Sequence, residues 1–344
     1  MKGLRLHGVA DLRLADEPAP IPGPDEALVR VTAVGICGSD LHWYDESAIG
    51  EAVLTRPLVL GHEAAGVIVE GPRAGQRVAL DPQVPCGACE TCAAGRGHLC
   101  PQVRFLGHSL TDGALREMLA WPAANLVPLP DTIDDVGGAM LEPLGVGIHA
   151  LRLARVGPGD TVGIFGCGPI GLLLIQLARV AGATTIVATD RLPHRVEAAR
   201  RLGAVAALVE GGAERAFLLD ATAGHGVDAA IEIAGVDDAI ETAIALARPA
   251  GTVVLAGIPA GDHSTIAASI ARRKGLDVRF SRRMNRVYPR AIALVEAGLI
   301  DVASLVTHRF PIADGEAAFR TAARRDGLKV VVEPSAAAAP GSDR

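Results

Sequence analysis

The stretch Thr161-Val-Gly-Ile-Phe-Gly166-Cys167-Gly168-Pro169-Ile170-Gly171, carried on to Asp190, decides the fold of this chain. Thr161 to Phe165 is a short β-rich apolar run, and Gly166-x-Gly168-x-x-Gly171 follows it directly. Apolar residues then recur at helical spacing: Ile170, Leu173, Leu174, Leu177 and Ala178. A second β-rich run, Thr185 to Ala188, ends on the acid Asp190, nineteen residues beyond the last glycine. Strand, glycine turn, helix, strand and acid in that order predict a dinucleotide-binding unit. Gly166 permits a tight turn, Gly168 lets a pyrophosphate approach the backbone, and Gly171 lets helix pack closely on strand. Pro169 and Ile170 open the helix, whose unpaired N–H groups face the phosphates. Asp190 is placed to accept hydrogen bonds from a ribose diol, which favours NAD. Arg191 and Arg195 are the residues that could hold a 2′-phosphate instead.

Thr161 to Ala178 carries no charge, which invites a membrane-span reading, but four glycines and Pro169 break the run. Cys167 reads as a small turn residue. Further out, strands alternate with helices from about residue 147 to 280, the pattern of a parallel doubly wound sheet. Candidate strands are 161–165, 185–188, 206–209, 227–233, 252–257 and 276–280.

A chain of 344 residues, 49% hydrophobic, can bury a large core and suggests two domains. Net charge is −6 and no run of Lys or Arg marks a nucleic-acid surface. The N-terminus has no basic-then-apolar leader pattern. Leu4, Leu6 and Val9 instead suggest a first strand, and a cytoplasmic location is expected. Residues 335–344 are rich in Ala, Pro, Gly and Ser and read as a frayed tail.

Six cysteines are present, four of them crowded between Cys86 and Cys100, which points to metal rather than disulfides. Cys86-x2-Cys89-x2-Cys92-x7-Cys100 supplies four thiolates for a closed tetrahedral shell, as structural zinc requires. The lobe has one Arg and no Lys, so a nucleic-acid ribbon is excluded. Ahead of it, alternation in Ala27 to Val34 marks a half-buried strand that delivers Gly35-Ile-Cys37-Gly-Ser39-Asp40-Leu-His42. A second polar group follows an apolar run in Gly61-His62-Glu63. Cys37, His62 and Glu63 together offer S, N and O ligands for a three-ligand catalytic zinc site with an open position.

These motifs, with Leu141-Glu142-Pro143-Leu-x-Val-Gly-Ile-His149 and Val306-Thr-His-Arg-Phe-Pro311, resemble the zinc-dependent medium-chain dehydrogenases, specifically the sorbitol (polyol) branch. The likeness covers nearly the whole chain. It implies a doubly wound Rossmann cofactor domain and a mainly β, GroES-like catalytic domain. The boundaries it suggests are 1–146 (zinc lobe 86–100), 147–281, and a return of 282–334 to the first domain. It also implies a homo-oligomer, dimer or tetramer, with no nucleic-acid or membrane partner. Where the alcohol dehydrogenases of this family have a second Cys ligand, this chain has Glu142, either coordinating the zinc or holding its water. Arg282, in Arg282-x-x-Asn285, resembles a substrate-lining residue of the polyol branch. Two features depart from the pattern. The hairpin Val69 to Val78 is shortened. Animal sorbitol dehydrogenases lack the four-cysteine lobe, which brings this chain closer to bacterial polyol, threonine and glucose dehydrogenases.

The implied reaction is oxidation of a secondary alcohol on a polyol or sugar-like substrate, with zinc as Lewis acid and NAD as hydride acceptor. Ser39 is suited to accept the hydroxyl proton and pass it towards the ribose and His42. The rival readings are a threonine, butanediol or glucose dehydrogenase, and a catalytically silent protein that binds NAD and zinc. The complete Cys37, Ser39, His42, His62 and Glu63 set weighs against silence.

Overall fold

In the computed structural model, residues 1–335 are described, and the chain divides into two units. One comprises Met1–Glu142, Tyr288–Glu296 and the chain from Asp301; the other comprises Pro143–Val287 and Ala297–Ile300. The division therefore falls inside the first turn of the helix Leu141–Ala154, not at 146/147. Residues 282–287, expected with the first domain, belong to the second unit. Met284 and Val287 pack on Gly145, where an added Cβ would sit 2.5 Å from Met284 Sδ and 2.6 Å from Val287 Cγ2. The tail expected at 335–344 lies, from residue 336 onward, outside the described residues.

The first unit is organised on the strand Glu26–Gly35. Its burial alternates up to Val31 and is continuous beyond, as the strand enters the middle of a sheet. That sheet runs Leu126–Pro128, Arg77–Leu80, Glu63–Glu70, Glu26–Gly35, Lys329–Glu333, Val306–Pro311, with Met118–Pro122 also paired to Glu26–Gly35. The shortened hairpin still closes an antiparallel pair, with Gly66 opposite Val78 and Val67 opposite Arg77. Its turn reverses the chain through left-handed residues, Gly71 and Gly75 among them. Strand Lys2–Gly8 pairs with Asp11–Asp16 and Leu58–Val59 outside this sheet. Leu6, Val29, Trp43, Leu60, Ile68, Trp121 and Phe319 fill the core.

In the second unit, six parallel strands lie in the order Val205–Leu208, Thr185–Asp190, Thr161–Phe165, Val227–Glu232, Ala247–Leu255, Asp277–Phe280. Numbered along the chain this is 3-2-1-4-5-6, the doubly wound arrangement. The strand expected at 252–257 begins earlier, because Val227 pairs with Ala247 across a register shift. Order reverses between Thr161–Phe165 and Val227–Glu232, and ligands of such sheets bind beyond the carboxyl ends of the strands there.

Candidate metal centres and nucleotide turn

In the second unit, Gly168 caps the helix Pro169–Val180, with Pro169 in its first turn. Gly166 has φ +113°, and a Cβ on Gly171 would overlap the Gly166 carbonyl oxygen, so both positions require glycine. Ile170 is half-buried at the helix start. Asp190 closes its strand, and its carboxylate accepts from Cys167 N at 2.8 Å and Leu192 N at 2.9 Å. A carboxylate has about four lone-pair sites, so two remain for a ligand. Arg195 Nη1 would lie 3.7 Å from a Cβ on Gly168, which places this guanidinium beside the turn. Arg191 pairs at 3.2 Å with Asp238 in the open. Cys167 is buried and donates to Thr189 O, and burial pushes its thiol well up, in keeping with a packing role. Arg282 is exposed in this unit.

The four-cysteine lobe lies in the first unit. Cys89 caps the short helix Glu90–Ala93, and Gly97–Leu99 turns the chain back so that Cys100 joins it. Sulfur separations are 3.9 Å for Cys86–Cys92, 3.4 Å for Cys89–Cys92 and 3.7 Å for Cys89–Cys100. Tetrahedral zinc with Zn–S bonds of about 2.3 Å requires sulfurs about 3.8 Å apart, so the four thiols fit the ion. The Thr91 hydroxyl, 3.1 Å from Cys89 Sγ, helps to push that thiol down to about 6. The lobe also receives backbone donors, from Cys89 N to Cys86 Sγ and from Cys86 N to Cys100 Sγ.

The second metal group is assembled by the central sheet. Cys37 leaves the end of strand Glu26–Gly35 and caps the helix Gly38–Glu46, and Glu63 begins the neighbouring strand opposite Gly35. Cys37, His62 and Glu63 each bring a ligand atom within 4.8 Å of the others. Glu142 is buried nearby, in the first turn of its helix, but is not among those three. Burial pushes its carboxyl up to about 7, reinforced by Glu63 and opposed by His62 and Lys329. Ser39 Oγ is 3.4 Å from His62 Nε2, while His42 Nδ1 is held by Glu46 at 3.0 Å. The Phe105 ring centroid lies 5.3 Å from that of His62.

Asp40 ties these pieces together. Its carboxylate accepts from Cys37 N at 2.9 Å and Gly61 N at 3.0 Å, and lies 3.4 Å from His62 Nδ1. Metal-ligating histidines typically direct their second nitrogen at such a carboxylate. Burial works to raise the pKa of Asp40, but the His62 charge and these donors outweigh it and hold the acid below its usual range. For His62, burial is outweighed by Asp40 and Cys37, so its pKa stands well above the usual imidazole value. A soft–borderline–hard donor set in an acid-rich pocket is what a divalent cation such as zinc would neutralise.

Residues 23–131 match the alcohol dehydrogenase GroES-like domain and residues 169–297 the zinc-binding dehydrogenase domain. A sorbitol dehydrogenase of Bacillus subtilis is 35% identical, covering 97% of this chain and 98% of its own. The chain belongs to the zinc-dependent medium-chain dehydrogenases. A sorbitol dehydrogenase of Gallus gallus is 36% identical over 95% of each chain. A crystal structure of a zinc-binding dehydrogenase from Sinorhizobium meliloti, bound to NADP, matches with TM-score 0.86 and 34% identity over 97% of this chain and 99% of that one. As a medium-chain dehydrogenase, the protein is an oxidoreductase with zinc and a nicotinamide dinucleotide as cofactors. Among its described residues, no helix is long and apolar enough to cross a membrane.

Two residues of the metal group were not singled out from sequence. Asp40 carries a readable signal, since it stands three residues after Cys37, where a cap acid belongs. Lys329 carries none, because only sheet register brings it to Glu63.

Proposed function

We propose that this dehydrogenase transfers a hydride between NAD and a secondary alcohol of a polyol or sugar-like substrate. The observation that carries the reading is the Cys37, His62 and Glu63 donor set, in a chain matching a sorbitol dehydrogenase almost end to end. These three residues would hold the catalytic zinc, and Cys86, Cys89, Cys92 and Cys100 the structural one. When bound, the catalytic zinc supplies a Lewis acid to the substrate oxygen. Asp40 holds His62 in the tautomer that presents Nε2. Ser39, 3.4 Å from that nitrogen, would receive the substrate hydroxyl proton, and His42, bonded to Glu46, would be the next group in the relay. Glu142 acts as an acid next to the ligands. Gly166, Gly168, Pro169, Ile170 and Gly171 would cradle the pyrophosphate. The free lone pairs of Asp190 suit a ribose diol and repel a 2′-phosphate, so NAD is preferred over NADP. Arg282 is assigned to the substrate. A reducing cytoplasm would keep the clustered thiols available for metal, and the family likeness supports a dimer or tetramer.

The test is NADH formation by zinc-loaded enzyme across polyols, aldoses, diols and threonine. The highest kcat/KM on a polyol supports the reading. Silence on the whole panel, or a clear preference for threonine or an aldose, overturns it.

A further inference from the structure

Lys329 is a full positive charge in the interior, 2% exposed, and its ammonium pairs with Glu63 Oε2, whose side chain is 1% exposed. The pair is built by the sheet. Glu63 lies opposite Gly35 on one side, and the strand beginning at Lys329 registers with Gly35 through Val331 on the other. A Cβ on Gly35 would overlap Glu63 Oε2 and lie 2.8 Å from Lys329 Cε, so the absent side chain of Gly35 is the space the ion pair occupies. No other residue type fits there. An ammonium is a compact point charge that binds one carboxylate oxygen, whereas a guanidinium fork would take both.

We propose that Lys329 is the positioning residue of the catalytic zinc site, holding Glu63 by one oxygen so that only the other is offered to metal. Glu63 then binds zinc through a single oxygen, weakly enough to leave coordination space for substrate. Lys329 thus sets how tightly the site closes on its ion. This rests on the assignment of Cys37, His62 and Glu63 as zinc ligands.

The test is zinc retention against increasing chelator, with metal counted by mass spectrometry and folding checked by circular dichroism. The release step missing in His62→Ala identifies the catalytic ion. In Lys329→Met, Glu63 is freed to give zinc both oxygens, and release should slow by about tenfold, the lower end of what groups behind a ligand contribute. In Lys329→Arg, the fork takes both oxygens and release should quicken by a similar factor. A purely structural lysine would quicken release in both variants, and that outcome overturns the proposal. If Lys329→Met does not fold, Lys329→Arg is compared with and without Glu63→Gln, and unchanged or slower release, or quickening that persists in Glu63→Gln, refutes the proposal. In a Glu63→Gln background the effect of either substitution should vanish, and persistence there is equally fatal. Should wild-type enzyme show no step that His62→Ala removes, the zinc assignment itself fails, which is a different result from equal release in all Lys329 variants.

Discussion

Replacing Asp40 by Asn changes one atom type at the point where the metal group is tied together. Asp40 is 1% exposed and accepts two backbone N–H groups, from Cys37 and Gly61, while facing His62 Nδ1. An Asn has one carbonyl oxygen to offer, and its amide presents donors to donors on the other side. One buried N–H is therefore left without an acceptor, at a cost of about 1–3 kcal/mol. Loss of the carboxylate behind His62 should also lower zinc affinity by about 10- to 100-fold. Because folding holds the Asp40 acid below its unfolded value, its stabilisation is present above that value and is lost as pH falls through the folded one. The difference between wild type and Asp40→Asn should thus be full at neutral pH and shrink on acidification below about 4. Urea unfolding of metal-free protein at several pH values gives the stability arm, and chelator competition gives the zinc arm. Zinc affinity within about twofold of wild type would show that the Asp40 carboxylate does not support His62 as a ligand.

Three further outcomes follow from the same geometry. Cys89→Ser should lose the lobe zinc and melt at lower temperature while keeping its kinetic pH profile; retention of both ions with an unchanged Tm would contradict the closed-shell assignment. With Asp190 intact, kcat/KM for NAD should exceed that for NADP by about tenfold, equivalent to about 1.4 kcal/mol, and parity would assign Arg195 to a 2′-phosphate. Glu142→Gln should bind NAD normally, as titrated by fluorescence, but turn over about 10- to 100-fold more slowly; wild-type kcat would leave the buried acid without a part in the reaction.

Much of this molecule is legible in its sequence because the decisive groups are local. The nucleotide turn lies within Thr161–Gly171, and its glycines are dictated by contacts inside the same turn, such as Gly171 against Gly166. The thiolate lobe closes within Cys86–Cys100. The catalytic group is less local: Cys37 and His62 stand on separate elements, so their donor types suggest a zinc set in the sequence, while their meeting depends on sheet pairing that brings Glu63 opposite Gly35. Lys329 shows the limit most clearly. Read along the chain it is a surface-type lysine at the edge of an apolar run, Val330 to Val332. It reaches Glu63 only because sheet register, which periodicity does not encode over such separations, brings its strand beside Gly35. Residues 282–287 group with the second unit for a similar reason, since Met284 and Val287 find Gly145 through packing that no local pattern announces.

A zinc ion held by Cys37, His62 and Glu63 would work on an alcohol while a separate unit binds the nucleotide. Measuring metal content and NADH formation together in His62→Ala tests this most directly, with NAD binding followed by fluorescence as the internal control. The variant should keep the lobe zinc, lose the other, bind NAD as wild type does and form no NADH from a polyol. Full turnover in His62→Ala, or retention of both ions, would contradict the assignment.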